Sequence, residues 1–168
     1  MLMLSRRVLK LLIVLNWLFV AFFAAMLAVL ASPVYDTALR ALTDSHGPAQ
    51  AAMTLRMLAW LMALGILTGL AAHILFHRML AIVGTAIAGD PFTRENAARL
   101  RTVGWALLAI QIIDLGFGVI SLSVDNLVDE PFGWNVSVGG WIAALMVFVL
   151  ARVFEQGSRM RDELAMTV

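Results

Sequence analysis

The stretch MLAWLMALGILTGLAAHILFH, residues 57–77, contains no Asp, Glu, Lys or Arg. As a helix, a stretch of this length reaches about 30 Å, the thickness of the hydrocarbon core of a bilayer. Three further apolar runs of similar length occur at about residues 8–31, 103–122 and 138–154. Because lipid leaves a spanning segment outside a closed barrel no other way to satisfy its backbone, all four are predicted to be helices.

The composition agrees with these four runs. Of the 168 residues, 62% are hydrophobic and 14% are charged, whereas soluble domains are about 45–50% apolar and 25% charged. The sequence therefore predicts an all-α integral membrane protein, a single domain over residues 1–168 with four transmembrane helices in a bundle. The absence of cysteine excludes disulfides, thiolate metal sites and cysteine nucleophiles.

The first apolar run also has features of a signal peptide, since Arg6 and Arg7 precede it and small residues lie near Ala31. Its apolar region is about 20 residues long, which exceeds the 7 to 15 of a signal peptide. We therefore expect an uncleaved first helix.

The distribution of Lys and Arg predicts the orientation, because cytoplasmic loops carry an excess of both. With the N-terminus inside, both termini are cytoplasmic, and only Arg40 and Arg56 lie outside, in a loop from about 32 to 56. A second outer loop is acidic and contains Asp125, Asp129 and Glu130. The ten cytoplasmic cations are Arg6, Arg7, Lys10, Arg78, Arg94, Arg99, Arg101, Arg152, Arg159 and Arg161.

Small residues four apart indicate where helices approach closely in lipid, where no hydrophobic force drives association. They pack either within one bundle or across a homodimer. The candidates are Ala21, Ala24, Ala25 and Ala28 in the first span, Gly65 and Gly69 in the second, and Gly140 and Ala144 in the fourth.

A polar segment, GDPFTRENAARLR (residues 89–101), separates the second and third spans. Helical composition continues past Arg78 as far as Gly89, which is placed as a C-terminal cap. Asp90 can cap the next helix with Pro91 at its first position, and Thr93 offers a second capping oxygen. The segment is therefore predicted to be a helix-to-helix turn.

Two apolar faces follow from the helical spacing beyond this turn. We expect the second, third and fourth helices to extend into the cytoplasm and the last two extensions to pack on each other. One face comprises Ala97, Leu100 and Gly104, and the other comprises Val153, Gly157, Met160 and Leu164.

Charged side chains lie off these faces. They are either a solvated surface or a docking surface for a partner protein or anionic lipid headgroups. The candidate partner-binding residues are Arg94, Glu95, Arg99, Arg101, Glu155, Arg159 and Arg161.

Polar residues inside the spans are the other candidate site. Asp114 lies near the middle of the third span, with Gln111 one turn before it, and Asn16 and Thr68 are candidate neighbours. A carboxylate at that depth costs at least about 2.5 kcal/mol when ionised, so it should face the bundle interior and be protonated or partnered. It serves either as a proton or ligand site or as a hydrogen-bonded clamp between helices.

Other chemistry finds little support in the sequence. His73 and His77 share a helix face, but a metal site needs a third ligand, and His46 is predicted to lie across the membrane. No phosphate-binding glycine loop, no serine on a strand-to-helix turn and no nucleic-acid-binding pattern is present. We therefore predict a non-enzymatic protein without cofactor, metal or direct nucleic-acid binding.

AGDPFTRENAARLRTVGW (88–105) and LARVFEQGSRMRDELAMTV (150–168) resemble the two signature regions of the family called domain of unknown function 2975. These are small bacterial membrane proteins with four predicted helices, and the resemblance covers residues 84–168. Ala165 and Met166 depart from the Asn-Asp-Leu often found before the terminal Thr-Val. The matching residues are Gly89, Pro91, Phe92, Glu95, Asn96 and Leu100, then Phe154, Gly157, Arg161, Glu163, Thr167 and Val168.

The resemblance implies no known reaction, and family members are often encoded beside small Cro/C1-type helix-turn-helix regulators. The leading hypothesis is thus a bacterial inner-membrane protein whose cytoplasmic hairpin and tail bind such a regulator. The alternative is a small transporter or ion-translocating subunit that uses Asp114, although no pair of Gly/Pro-broken spans points to a transport site.

Overall fold

The computed structural model describes residues 2–125 and 134–165, and helices are the only regular secondary structure in these ranges. The acidic loop residues Asp129 and Glu130 and the terminal Thr167 and Val168 lie outside the described residues. The five helices are α1 Leu2–Leu30, α2 Val34–His46, α3 Pro48–Ile87, α4 Arg94–Asp125 and α5 Val138–Ala165.

Four of these helices, α1, α3, α4 and α5, are long and apolar enough to cross a membrane. The second, third and fourth predicted spans lie inside α3, α4 and α5, and the first ends one residue beyond α1. The prediction that the later helices continue past their spans is confirmed, since α3 runs on to Ile87, α4 starts at Arg94 and α5 reaches Ala165. The chain is thus built as a multi-pass membrane protein.

The segment between the first two spans is not the loop that the sequence predicted. Residues Val34–His46 form helix α2, and α3 begins directly after it at Pro48. Gly47 separates the two helices at φ 84°, a left-handed conformation that glycine adopts without steric cost, and its N–H donates to Thr43 O at 3.0 Å. The helix was missed because an amphipathic segment of this length carries no span-like hydropathy signal.

The residues group into two compact units. The first comprises residues 1–16, 71–111 and 137–168, and the second comprises residues 17–70 and 112–136. Helix α5 belongs to the first unit and α2 to the second, while α1, α3 and α4 contribute residues to both.

In the second unit, a glycine of α3 lies under an aromatic ring of α1. A Cβ built on Gly65 would lie 2.8 Å from Cδ2 of Phe23, so only glycine fits without movement of the ring. Gly69 is buried as well, which agrees with the predicted close approach at this helix. Ala21, Ala24, Ala25 and Ala28 of α1 are all exposed, so they do not pack within the chain as one of the two alternatives predicted, and Phe23 makes the contact instead. Their use in a homodimer stays a prediction.

In the first unit, α4 and α5 bury residues seven positions apart. On α5 these are Ala144, Ala151 and Ser158, each at most 4% exposed, and on α4 they include Ala97, Gly104 and Gln111. A seven-residue repeat keeps one seam of two helices in contact over several turns. Small residues on that seam let the backbones approach closely.

The predicted apolar face of α4 is confirmed, whereas that of α5 is wrong at two of its four residues, although Gly157 does pack against Phe92. Val153 and Met160 are 51% and 60% exposed, while Ala151 and Ser158 are buried in their place. The Leu164 side chain lies outside the part of the chain that the structure describes. Bulky residues were assigned to the interior by hydrophobicity, but close helix packing selects side chains by size.

Candidate functional site

The turn between α3 and α4 has a defined hydrogen-bond pattern. Gly89 has φ 85°, its N–H donates to Ala86 O at 3.3 Å, and the Asp90 N–H donates to Thr85 O at 3.1 Å. This pair of bonds is the Schellman motif, in which a left-handed glycine ends a helix. The prediction that Gly89 caps α3 is therefore confirmed.

Of the two caps predicted for α4, the structure confirms Thr93 and not Asp90. The helix begins at Arg94, and the Asn96 N–H donates to Thr93 Oγ1 at 3.1 Å, so Thr93 is the capping residue. The predicted start, with Asp90 as the cap and Pro91 at the first helical position, is wrong because Asp90 takes part in closing the preceding helix. Pro91 and Phe92 lie in the linker between the two helices.

Asn96 is fully buried directly behind this turn. Its Nδ2 donates to Thr85 Oγ1 at 2.6 Å and to Pro91 O at 2.8 Å, while its Oδ1 accepts from Arg99 at 2.8 Å. One side chain thus joins the end of α3, the linker and the first turn of α4. Buried amides are stable only when such partners are present.

An aromatic contact connects the turn to α5. The rings of Phe92 and Phe154 have centroids 5.0 Å apart, and a Cβ built on Gly157 would lie 3.2 Å from Cδ1 of Phe92. The two segments that carry the family resemblance, around residues 91–96 and 154–157, therefore contact each other.

Ion pairs set α5 antiparallel to α4. Arg94 pairs with Asp162 at 3.1 Å near the start of α4, and Arg101 pairs with Glu155 at 3.2 Å two turns further along. Arg161 also pairs with Asp90 of the turn. Exposed pairs contribute at most about 1 kcal/mol each, so these contacts fix the register of the helices more than their stability.

Glu155 is the most connected of these charges. Its carboxylate pairs with Arg101, with Arg159 at 3.0 Å and with Arg152 at 3.7 Å, and its side chain is 24% exposed. The α4 side of the cluster also contains the Arg99–Glu95 pair at 2.9 Å. Each of the seven predicted partner-binding residues, Arg94, Glu95, Arg99, Arg101, Glu155, Arg159 and Arg161, therefore forms an ion pair inside the chain. Their role in binding a partner stays a prediction.

A groove of about 490 Å³ runs between α4 and α5 along these pairs. We call it the α4–α5 groove. Its charged lining contains as many arginines as acids, and small side chains lie between them. The lining residues are Arg94, Arg101, Arg159, Glu155, Asp162 and Glu163, with Ala97, Ala98 and Ser158.

Gln111 forms a contact at the start of α5. Its Nε2 donates to Ser137 O at 3.2 Å, the carbonyl that also accepts from the Gly140 N–H. A Cβ on Gly140 would overlap the Gln111 amide, so the glycine makes room for this side chain. Gln111 thus holds α5 at its first turn, and the predicted close approach at Gly140 is confirmed.

Asp114 accepts a hydrogen bond from Trp134 Nε1 at 3.4 Å, and the Trp134 ring covers Gly118. The carboxylate therefore lies beside Trp134, in the segment that precedes α5 in the chain. Its indole partner fits the predicted clamp, but neither its use as a clamp nor its use in transport is tested. Asn16, half-buried on α1, belongs to the other unit from Asp114.

The two histidines of α3 lie on one face, as their spacing predicts, with ring centroids 6.0 Å apart. They line a shallow cavity of about 220 Å³ together with Ile74 and Arg78. No group of three His, Asp or Glu side chains that could hold a metal occurs within residues 2–125 and 134–165.

The fold thus defines a class, namely a helical membrane protein in which the polar ends of α3, α4 and α5 pack together. Its chain matches the family described as "Protein of unknown function (DUF2975)" over residues 37–168, and it belongs to that family. The match starts at α2 and is longer than the segment 84–168 on which the resemblance rested. Comparisons with curated proteins and with solved structures give no match.

Sequence reasoning missed the role of Asn96, although it is one of the matching residues. Its contact with Thr85 spans eleven positions, so no local pattern reveals it. The available signal was chemical, since an Asn in the first turn after a glycine-capped helix has side-chain donors that backbone groups of the turn can accept.

Proposed function

We propose that this protein binds a cytoplasmic protein in the α4–α5 groove and that the partner is a small helix-turn-helix transcriptional regulator. In this proposal the protein is a four-helix bundle in a bacterial inner membrane, with both termini cytoplasmic. The ten cations on one side against two on the other support this orientation. The proposal assigns no chemical reaction to the protein.

The charge of the groove is the observation that carries the proposal. Its lining contains three arginines and three acids, with Arg94 and Arg101 on the α4 wall and all three acids on the α5 wall. A nucleic-acid backbone is uniformly negative and is bound by clustered cations. A surface with balanced charges of both signs instead complements a protein segment that also has charges of both signs.

The ion pairs prepare the groove for such a partner. Arg101 and Arg159 are both held by Glu155, which restricts their side chains before any partner arrives. Preorganised side chains lose less conformational entropy on binding, and this improves affinity. The small side chains of Ala97, Ala98 and Ser158 leave space for an inserted residue.

The same helix connects the membrane to the groove. Helix α5 is uninterrupted from Val138 to Ala165, and it carries an apolar first half followed by Glu155 and Asp162. A rotation or shift of α5 in the bilayer would change the spacing of the groove walls, because packed helices move as rigid elements. In this proposal, such a movement of α5 in the membrane changes how tightly the groove binds the regulator.

The test exchanges two charges without removing an ion pair. In the double variant Arg94→Asp with Asp162→Arg, the pair can re-form, but the charges at one end of the groove are reversed. We expect affinity for the proposed helix-turn-helix regulator to fall about tenfold or more, because like charges then face each other across the interface. Co-purification and biolayer interferometry with the full-length protein in detergent measure this change.

The control is Arg152→Asp, which reverses one charge of α5 outside both the groove and the seven candidate residues and leaves Glu155 paired with Arg101 and Arg159. This variant should bind the regulator as the wild type does. The proposal is refuted if the charge-exchanged double variant binds as tightly as this control, or if the wild-type protein does not bind the regulator.

A further inference from the structure

Arg78 differs from the arginines of α4 and α5. Every arginine of those two helices forms an ion pair within the chain. Arg78, on α3, is exposed and has no such pair among the residues that the structure describes. Its charge is therefore available to a ligand.

Arg78 contributes to two neighbouring cavities. One, of about 220 Å³, also contains His73, Ile74 and His77. The other, of about 390 Å³, lies between α3 and α4 and is lined by Glu95, Ala98, Arg99 and Thr102. One guanidinium thus reaches a ligand that occupies either cavity or both.

The second cavity has a net positive charge. Arg99 pairs with Glu95 and donates to Asn96, which uses two of the five N–H groups of a guanidinium. Across the two cavities, the two arginines outnumber the single carboxylate of Glu95. An anion is the complementary ligand.

The position of Arg78 along α3 indicates the source of this anion. It follows directly on the uncharged stretch 57–77, which spans the hydrocarbon core by its length. Ile74, one turn before Arg78 on the side of the hydrocarbon core, is 46% exposed, as expected of a residue that faces lipid tails. Arg78 is therefore at the depth of the phospholipid headgroups.

We propose that Arg78 binds the phosphate of an anionic phospholipid, with Arg99 adding positive charge and Ile74 contacting an acyl chain. Basic pockets between transmembrane helices bind such headgroups in this way. This site does not depend on the proposed protein partner, because none of Arg78, Arg99 and Ile74 lines the α4–α5 groove.

Native mass spectrometry of the full-length protein in detergent tests the site. The probes are phosphatidylglycerol, phosphatidylcholine and inorganic phosphate. We expect Arg78→Gln to reduce the bound fraction of phosphatidylglycerol about fivefold, in line with the loss of one cation near a membrane surface. Arg78→Lys should keep most of the binding, and wild-type protein should bind phosphatidylcholine more weakly.

Arg152→Gln is the matched control. It removes an exposed arginine of α5 whose partner Glu155 keeps two others, and it should leave lipid binding unchanged. Ala98→Glu is a second test at an exposed residue of the cavity, where it adds a negative charge, and it should weaken binding as Arg78→Gln does.

Three results would overturn the proposal. They are equal phosphatidylglycerol binding by wild type and Arg78→Gln, equal loss in Arg152→Gln, and wild-type binding of phosphatidylcholine as tightly as phosphatidylglycerol. Displacement of the lipid by millimolar inorganic phosphate would also contradict it, since the site would then bind a soluble anion.

Discussion

Helices α1 and α5 are almost equal in length, at 29 and 28 residues, but are held in different ways. Of the residues of α1 only Leu9 and Val20 are buried, and in its most apolar stretch of 18 residues just 6% are buried. Helix α5 packs small residues along α4 and pairs Glu155 with three arginines. Hydropathy is sufficient to hold α1, whereas α5 requires particular side chains.

The family match separates α1 from the rest of the chain in the same way. It begins at residue 37 and leaves α1 out. A helix that faces lipid on most of its surface needs apolar residues in any order, because lipid tails are as apolar as leucine. The polar end of α3, α4 and α5 depends instead on individual contacts, and substitutions there should have larger effects than substitutions in α1.

The largest effect is expected for Asn96→Ala. The change leaves Thr85 Oγ1, Pro91 O and the Arg99 guanidinium without this buried partner. Each lost partner costs about 1 kcal/mol, so the free energy of unfolding should fall by about 3 kcal/mol. Thermal unfolding followed by circular dichroism measures this, and Gln156→Ala, at an exposed position of α5, should change stability by less than about 0.5 kcal/mol.

The next largest effect is expected when alanine replaces glycine at Gly104, with the same substitution at Gly84 for comparison. In Gly104→Ala the new Cβ lies 2.9 Å from Cε1 of Phe148, so the ring or helix must move, at a cost of about 1–3 kcal/mol. In Gly84→Ala nothing lies within 4 Å of the new Cβ, and alanine is favoured over glycine in a helix by up to about 1 kcal/mol. The two variants should shift Tm in opposite directions, and a shared direction would show that α4 and α5 are not packed at Gly104.

A smaller effect is expected at Asp114. Asp114→Ala and Trp134→Phe each remove one partner of the same hydrogen bond, and each should cost about 1 kcal/mol. The double variant should be little worse than either single one, because the bond can be lost only once. Unfolding in detergent gives the three values, and fully additive losses would exclude the clamp.

Asp114→Asn distinguishes the clamp from the transport alternative. Asparagine keeps an Oδ1 acceptor for the Trp134 indole, so stability should be retained. Loss of an ion flux in proteoliposomes despite retained stability would favour the transporter.

The smallest effect is expected in α1. The Leu18 side chain is 62% exposed, so Leu18→Ala should change the free energy of unfolding by about 0.5 kcal/mol or less. The same thermal unfolding experiment applies. A loss as large as that of Asn96→Ala would contradict the distinction between the two helices.

The sequence was informative wherever one local rule decides the structure. Apolar length predicted α1, α3, α4 and α5, and the left-handed preference of glycine predicted the end of α3 at Gly89. It was uninformative where long-range contacts decide, as for Asn96 with Thr85. Hydrophobicity also cannot say which face of α5 is inside, because Val153 and Met160 are exposed while the contact with α4 accepts residues as small as Ala151 and Ser158.

The candidate site was predictable only in part. Charge spacing identified the seven residues at the polar end, and the i, i+4 pair of Glu155 and Arg159 was readable from the helix period. The pairs of Arg94 with Asp162 and of Arg101 with Glu155 were not, because they depend on the antiparallel register of α4 and α5. The groove is a property of that register and has no signature in either segment alone.

Hydrogen exchange of the full-length protein in nanodiscs tests the central claim most directly. If the polar ends of α3, α4 and α5 are packed by specific contacts, amides in residues 80–87, 94–101 and 152–163 should exchange about a hundredfold or more slowly than an unstructured chain. Asn96→Ala should release much of that protection while leaving the apolar part of α1 unchanged. Rapid exchange of these three segments in the wild type would show that they are unsupported helix ends and would contradict the account.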